Sequence, residues 1–266
     1  MSPRKKAALR RKAGVKKINF GWVPDLPDQR DVLYGVVRRV PAKLPKSADL
    51  RPMCSAVEDQ GNLGSCTGNA LAGALEFLER KDKVSFADLS RLFIYYNERA
   101  LEHSVSSDAG AQIRDGIKTL AKQGVCTEAK WPYTESKFAV KPPAASYKDA
   151  LNHQITSYQR IQTIDEMRTC LADGYPFVFG FTVYESFMSQ QVAKTGIGQL
   201  PKSGEKVVGG HAVLAVGYDD AKKRFILRNS WGTSWGMSGY FTLPYPYFED
   251  RNLSDDLWTI RAGEEM

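Results

Sequence analysis

The chain has 266 residues, 42% of them apolar and 25% charged, the balance of an ordinary globular protein long enough for one large domain or two lobes. Its net charge of +7 is concentrated at one end, because residues 1–40 hold eleven Lys or Arg against three Asp. No apolar run reaches the roughly 18 residues of a membrane span, and no apolar core of a secretory signal follows the basic start. The compartment is therefore unassigned, cytoplasmic by default, with non-standard export left open.

Residues 1–17 carry eight basic residues and no acid. Such a run reads as a solvated tail, or as an anion or polyanion contact through residues 4–17. No aromatic side chain interleaves with the charges, so no base-stacking platform is indicated. From 18 to 52 the sequence is punctuated by Pro24, Pro27, Pro41, Pro45 and Pro52. Proline fixes φ and removes a donor, which predicts an extended strip laid over a surface, anchored by Phe20, Trp22, Leu33 and Tyr34. Residues 1–40 are read as basic tail plus leader, and 41–266 as the body.

A helix is predicted from Cys66, where Leu71, Ala74, Leu75 and Leu78 recur on one face. Ser85 and Asp88 read as a capping box opening a second, with Leu89, Leu92, Phe93 and Tyr96 inward. A third spans about Ala111 to Gln123 and stops at Gly124, and a fourth follows Thr163, carries Met167, Cys170 and Leu171 and stops at Gly174. The period then changes. Residues 177–183, 211–218, 224–229, 239–243 and 257–261 are dense in β-formers, with a polar hairpin at Asp219–Lys222. The chain is thus α+β, with a helical part at about 55–150, a β part at about 155–262, and reactive residues drawn from both into a cleft between them.

Those reactive residues are a thiol, an imidazole and two amides. Cys66 lies in Gln60-Gly-Asn-Leu-Gly-Ser-Cys66 at the helix start. A thiol attacks only as thiolate, and a free Cys with a pKa of ~8.5 is mostly protonated near neutrality. The helix start offers unpaired N–H groups, and an imidazolium at His211 would supply the counter-charge. Asn229 can orient the second ring nitrogen without adding negative charge. Gln60 and the Cys66 N–H can bind an oxyanion. Trp231 can cover the Asn–His bond, and Trp235 can line the leaving-group side; both also read as core aromatics. Taken singly, Cys66 is a small buried hydrophobe and His211 a satisfied core histidine; the combination points to acyl transfer. His103 and His153 read as surface residues. No CxxC or HxxxH spacing suggests zinc, and no cofactor or metal is expected. With Cys66 set aside, Cys54, Cys126 and Cys170 allow at most one disulfide.

In these blocks the chain resembles the papain-like cysteine proteases: residues 48–82 around the thiol, 209–218 around His211 and 225–243 around Asn229, with weaker similarity through Leu89–Tyr133. The wording DQGNLGSCTGNA, RLFIYYNER and GVCTEAKWPY is similar to that of a bacterial branch. The resemblance implies a two-lobed fold, a helical lobe plus a β-barrel-like lobe, with the active site between them. It implies peptide-bond hydrolysis with Cys66, His211, Asn229 and Gln60 as catalytic residues. The chain departs from the family pattern at Thr67, where Trp is usual, at Leu63, where a disulfide-bonded Cys is usual, and at Gly110-Ala111, where a Gly-Gly pair holds the substrate backbone. Cys54 and Cys126 fall outside the usual pairs, and a bond between them stays open. Cys170 reads as a buried thiol.

The expectation is an endopeptidase preferring an apolar side chain two residues before the cut, with Gly110, Ala111, Gly210, Trp235 and Ile260 binding substrate. The residues before the body are too few for the family's helical prodomain, so the leader is expected to be a short propeptide, cut near Arg38–Lys46. Two rival readings stand beside this one: a catalytically silent binding module on the same fold, and a transpeptidase or ligase using the same acyl-enzyme.

Overall fold

The computed structural model describes residues 19–82 and 87–262. The basic run at 4–17 and Ser85 of the expected capping box lie outside them. The central element is helix α2 (Cys66–Lys81), which follows two short early helices, α1 (Tyr34–Val37) and a 3-10 turn at Arg51–Met53. Almost every residue of α2 is buried. It packs against the sheet on one side and against α3 (Arg91–Leu101) and α4 (Ile113–Gln123) on the other. Helix α3 begins later than the sequence suggests. Ser90 is its N-cap, accepting a bond from the Phe93 N–H at 3.1 Å, while Leu89 is held outside the helix in a bridge to Thr127. Its buried ring is consequently Tyr95, and Tyr96 is only half-buried. Helix α4 ends where expected, at Gly124 with φ +72°. A short α5 (Ala144–Ala150) closes the helical part, and α6 (Ile164–Ala172) opens on the Thr163–Glu166 capping box.

The β part is a seven-stranded sheet in the order β2 (Ser157–Arg160), β7 (Ser254–Arg261), β3 (Phe177–Tyr184), β4 (Val207–Asp219), β5 (Arg224–Arg228), β6 (Tyr240–Pro244), with β1 (Ser47–Asp49) also on β4. Neither β1 nor β2 stands out in the sequence, since each is short and half-exposed. Strand β3 alternates strictly. Phe177, Phe179 and Phe181 point into an aromatic core with Phe225, Phe241 and Phe248, while Val178 faces the helices together with Leu214 and Trp258. The sheet therefore has two buried faces, and α2 lies across one of them.

The described part of the leader, from Asn19, bridges both parts. Trp22 pairs in parallel with Ala111 at the head of α4, and Leu33 pairs with Arg160 of β2. Trp22 and Tyr34 are buried as the sequence suggests. Tyr34 reaches α6, where Arg38 pairs with Asp173 at 2.8 Å. All four cysteines are free and buried, so Cys54 and Cys126 are not bonded. His153 departs from its expected surface role: its Nδ1 lies 2.5 Å from Glu79 Oε1, and that contact raises its pKa.

Candidate active site

The loop Gln60–Ser65 delivers Cys66 to the first position of α2. Ser65, the N-cap, does not cap with its side chain; its hydroxyl instead meets Tyr133 and Asn69. The helix N–H groups thus stay available. The Ala212 backbone N–H bonds the sulfur at 3.3 Å, and the nearby Gly21 and Thr67 N–H groups act on it in the same sense. Each favours a negative sulfur, as expected at the positive end of a helix.

His211 enters from the other wall, on β4 opposite Phe181 of β3. Its Nε2 lies 2.8 Å from Asn229 Oδ1. That same oxygen accepts the Ser230 N–H at 2.8 Å, which fixes which way the amide faces. The ring nitrogen must then be the donor. His211 is Nε2-protonated, and its Nδ1, which has no protein partner, keeps a lone pair. Trp231 stacks on the imidazole at 4.8 Å and is in turn braced edge-on by Trp235 at 4.9 Å.

Gln60 is held by a feature the sequence reading overlooks. Its Oε1 accepts from the Ser230 hydroxyl at 2.6 Å, and its main-chain N–H bonds the Ser230 carbonyl at 2.8 Å. Ser230 therefore ties the Gln60 loop to the Asn229 loop. With its oxygen fixed, the amide turns Nε2 toward the Leu63 carbonyl (2.9 Å) and the Asn19 carbonyl of the leader (3.2 Å).

The leader fills the rest of the cleft. Gly21 passes so close to Gly64 that an added Cβ would lie 1.6 Å from the Gly64 oxygen. Ala111 donates to the Gly21 carbonyl (2.8 Å), Val23 donates to the Ala111 carbonyl (3.1 Å), and Trp22 donates to the Gly210 carbonyl (3.0 Å). Phe20 stands edge-on to both His211 and Trp231. The Trp22 indole lies in a slot that exists only because Gly180 has no side chain, since a Cβ there would come within 2.0 Å of the ring. At the end of the slot the indole N–H donates to Asp256 Oδ2 at 3.0 Å. Among the residues expected to bind substrate, Gly110, Ala111 and Gly210 line this strip. Trp235 sits behind Trp231, and Ile260 is buried further along β7 in the core. Asp256, 1% exposed, takes the place at the end of the slot. An Asp-Asp pair just ahead of the strand predicted at 257–261 carries no signal of that role.

Occupancy has an electrostatic consequence. Cys66 and His211 are both 0% exposed. Burial pushes the Cys66 thiol up to about 12 and pulls the His211 imidazole down to about 4. With the leader seated, both groups are held in their neutral forms near neutral pH. Thr67 contributes no ring to the cleft. It turns inward, and its hydroxyl bonds the buried carboxyl of Glu98, which burial holds well above the usual carboxylate range.

Comparison with known proteins agrees with this geometry. Residues 44–249 match the family model described as papain family cysteine protease. The chain is 46% identical over 270 residues to an uncharacterized peptidase C1-like protein of Acanthamoeba polyphaga mimivirus, covering 91% of this chain and 86% of the relative. It is 31% identical to a cathepsin B-like protein of Giardia intestinalis, over 81% of this chain and 74% of that one. Among solved structures, xylellain, a cysteine protease of Xylella fastidiosa, superposes with a TM-score of 0.88 at 45% identity, covering 97% of this chain and 100% of that one. The chain belongs to the papain family of cysteine proteases and has its papain-like fold and its cysteine peptidase activity.

Proposed function

We propose that this cysteine peptidase works through Cys66 as nucleophile, His211 as general base and acid, Asn229 as orienting residue and Gln60 as oxyanion donor, and that the leader keeps it latent. The single observation that carries the reading is the His211 Nε2 bond to Asn229 Oδ1 at 2.8 Å, which leaves an unpartnered Nδ1 to take the proton of the thiol that the neighbouring Ala212 N–H holds at 3.3 Å. Once the leader leaves, water re-enters, the thiol falls and the imidazole rises, and the thiolate–imidazolium pair becomes the favoured state. The thiolate adds to a peptide carbonyl, and the oxyanion takes the place of the Asn19 carbonyl beside Gln60 Nε2. The imidazolium then hands its proton to the leaving amine. Water attacks the acyl-enzyme with the same ring as base.

Latency is supported by what faces the sulfur. The leader presents an N–H donor there, which cannot be attacked. Its main chain also takes up the hydrogen-bonding positions of Ala111 and Gly210 that a substrate strand needs. Tethering holds this strip at a high effective concentration, so modest intrinsic affinity suffices. Excision near Arg38–Lys46 removes it.

The slot left by Trp22 also amends the expected apolar preference. A side chain entering it meets the Asp256 carboxylate, so long side chains ending in an N–H donor, Trp, Arg or Lys, are favoured over aliphatic ones. The binding-module reading is disfavoured because the nucleophile, base, orienting amide and oxyanion donor all converge. The test is peptide hydrolysis by leader-free enzyme, with peptide mapping of iodoacetamide-treated protein. Activity abolished by Cys66→Ala, together with Cys66 labelling that slows in His211→Ala, is expected. A folded Cys66→Ala variant that retains full activity would refute the assignment.

A further inference from the structure

Beyond Trp22 the leader crosses a half-buried cluster of charges that it shares with the body. The body supplies Arg114 from α4, Arg160 from β2, and Asp255 and Asp256 from β7, so its own charges balance. Arg160 Nη2 bonds Asp255 and Asp256, both at 2.9 Å. The leader adds two acids and no cation: its Arg30 folds back on Asp28 at 2.7 Å, exposed to solvent. Asp31 is well matched, lying 2.6 Å from Arg114 Nη2 and 3.3 Å from Arg160 Nη1.

Asp25 is not matched in this way. Its carboxyl accepts the Arg114 backbone N–H at 3.1 Å and the Trp258 indole N–H at 2.8 Å, and no guanidinium bonds it among the described residues. Its own N–H donates to Asp256 Oδ2 at 2.7 Å, which brings the Asp256 charge near enough to act on the Asp25 carboxyl in a partly desolvated site. Asp256 is the more deeply buried but better hydrogen-bonded partner, receiving the Trp22 indole, the Asp25 N–H and Arg160, and burial raises its carboxyl too. The Arg114 charge lowers the Asp25 carboxyl, but by less than burial and Asp256 raise it. The other ionisable groups on these elements are Asp115, Lys118 and Lys122 on α4, Tyr158 on β2 and Arg261 on β7, and none of them bonds Asp25 among the described residues. Asp115 is taken by Lys118 at 3.3 Å.

We propose that seating the leader takes up a proton at Asp25, so that the autoinhibitory contact is tight in mild acid and loosens as the pH passes neutrality. The inference rests on the reading of the leader as a latch. Burial, and then the Asp256 charge, push the seated Asp25 carboxyl up from 3.8 to about 7; released into solvent it returns to the ordinary carboxylate range. Because the seated value is the higher one, the seated state is fully favoured below about pH 4 and loses that advantage as the pH climbs to about 7. Between pH 5 and pH 8 the seating constant falls about a hundredfold.

The experiment uses the full chain. Iodoacetamide labelling of Cys66, located by peptide mapping, is followed from pH 5 to pH 8 in the wild type, in Asp25→Asn and in Trp22→Ala. Taking the ratio of wild type to Asp25→Asn cancels the titration of the thiol itself. That ratio is expected to rise about a hundredfold across the range, because the neutral amide needs no proton to seat. Asp256→Asn, which leaves Asp25 in place but removes its charged neighbour, should flatten part of the same slope. A ratio that stays flat while the wild type labels more slowly than Trp22→Ala overturns the proton linkage and leaves the latch standing. Wild type labelling as fast as Trp22→Ala at every pH overturns the latch and the linkage together.

Discussion

From Phe20 to Val23 the leader is held by main-chain hydrogen bonds and aromatic packing, whereas from Asp25 to Arg38 charge pairs are added to the Leu33 bridge and the buried Tyr34. The first stretch depends on shape: on Gly180 and Gly64 leaving room, and on carbonyls at Ala111 and Gly210 standing at the right spacing. Such contacts are nearly indifferent to salt and pH. The second stretch, with Asp25, Asp31 and Arg38 facing Arg114, Arg160, Asp256 and Asp173, responds to both. Affinity and adjustability are therefore separated along about twenty residues.

The largest break in that comparison is expected at Trp22. Replacing a buried Trp with Ala costs about 3–5 kcal/mol, so Trp22→Ala should speed Cys66 labelling in the full chain by about 10²–10⁴-fold. Gly180→Val should do the same by filling the slot from below. Gln60 separates catalysis from latching. In leader-free enzyme Gln60→Ala should lower kcat by about 10²–10³-fold with Cys66 labelling little changed, a split read by running both assays on one preparation. Asp256→Ala should raise KM about tenfold for peptides presenting Arg or Trp to the slot and spare those presenting Leu; equal effects on both would remove Asp256 from specificity. The smallest change belongs to Arg38→Ala. Its exposed pair with Asp173 contributes about 1 kcal/mol or less, so labelling should speed no more than about fivefold, and added salt should erase the difference.

Much of this was legible in the sequence because it rests on local patterns. The α2 face, the four strands of the sheet centre and the order Gln60, Cys66, His211, Asn229 follow from periodicity and motif wording. What stayed hidden depends on long-range pairing. Short strands such as β1 and β2 carry too few residues to alternate visibly. Ser90 outcompeted the expected cap because the segment before it is used to pair Leu89 with Thr127. Ser230 and Asp256 have no neighbours in sequence that advertise their roles; they acquire them only when Gln60 and Trp22, each more than a hundred residues away in sequence, are folded against them. The direction in which the leader crosses Cys66 is likewise set by its parallel bridge to Ala111, which no composition bias encodes.

The most direct test of the account is turnover of a fluorogenic peptide by a single preparation before and after removal of the residues ahead of Lys46, with intact mass recording the cut. Occupation of the cleft by the tethered leader predicts at least a tenfold rise, by order of magnitude, on excision. Equal turnover in the intact and excised forms would contradict it.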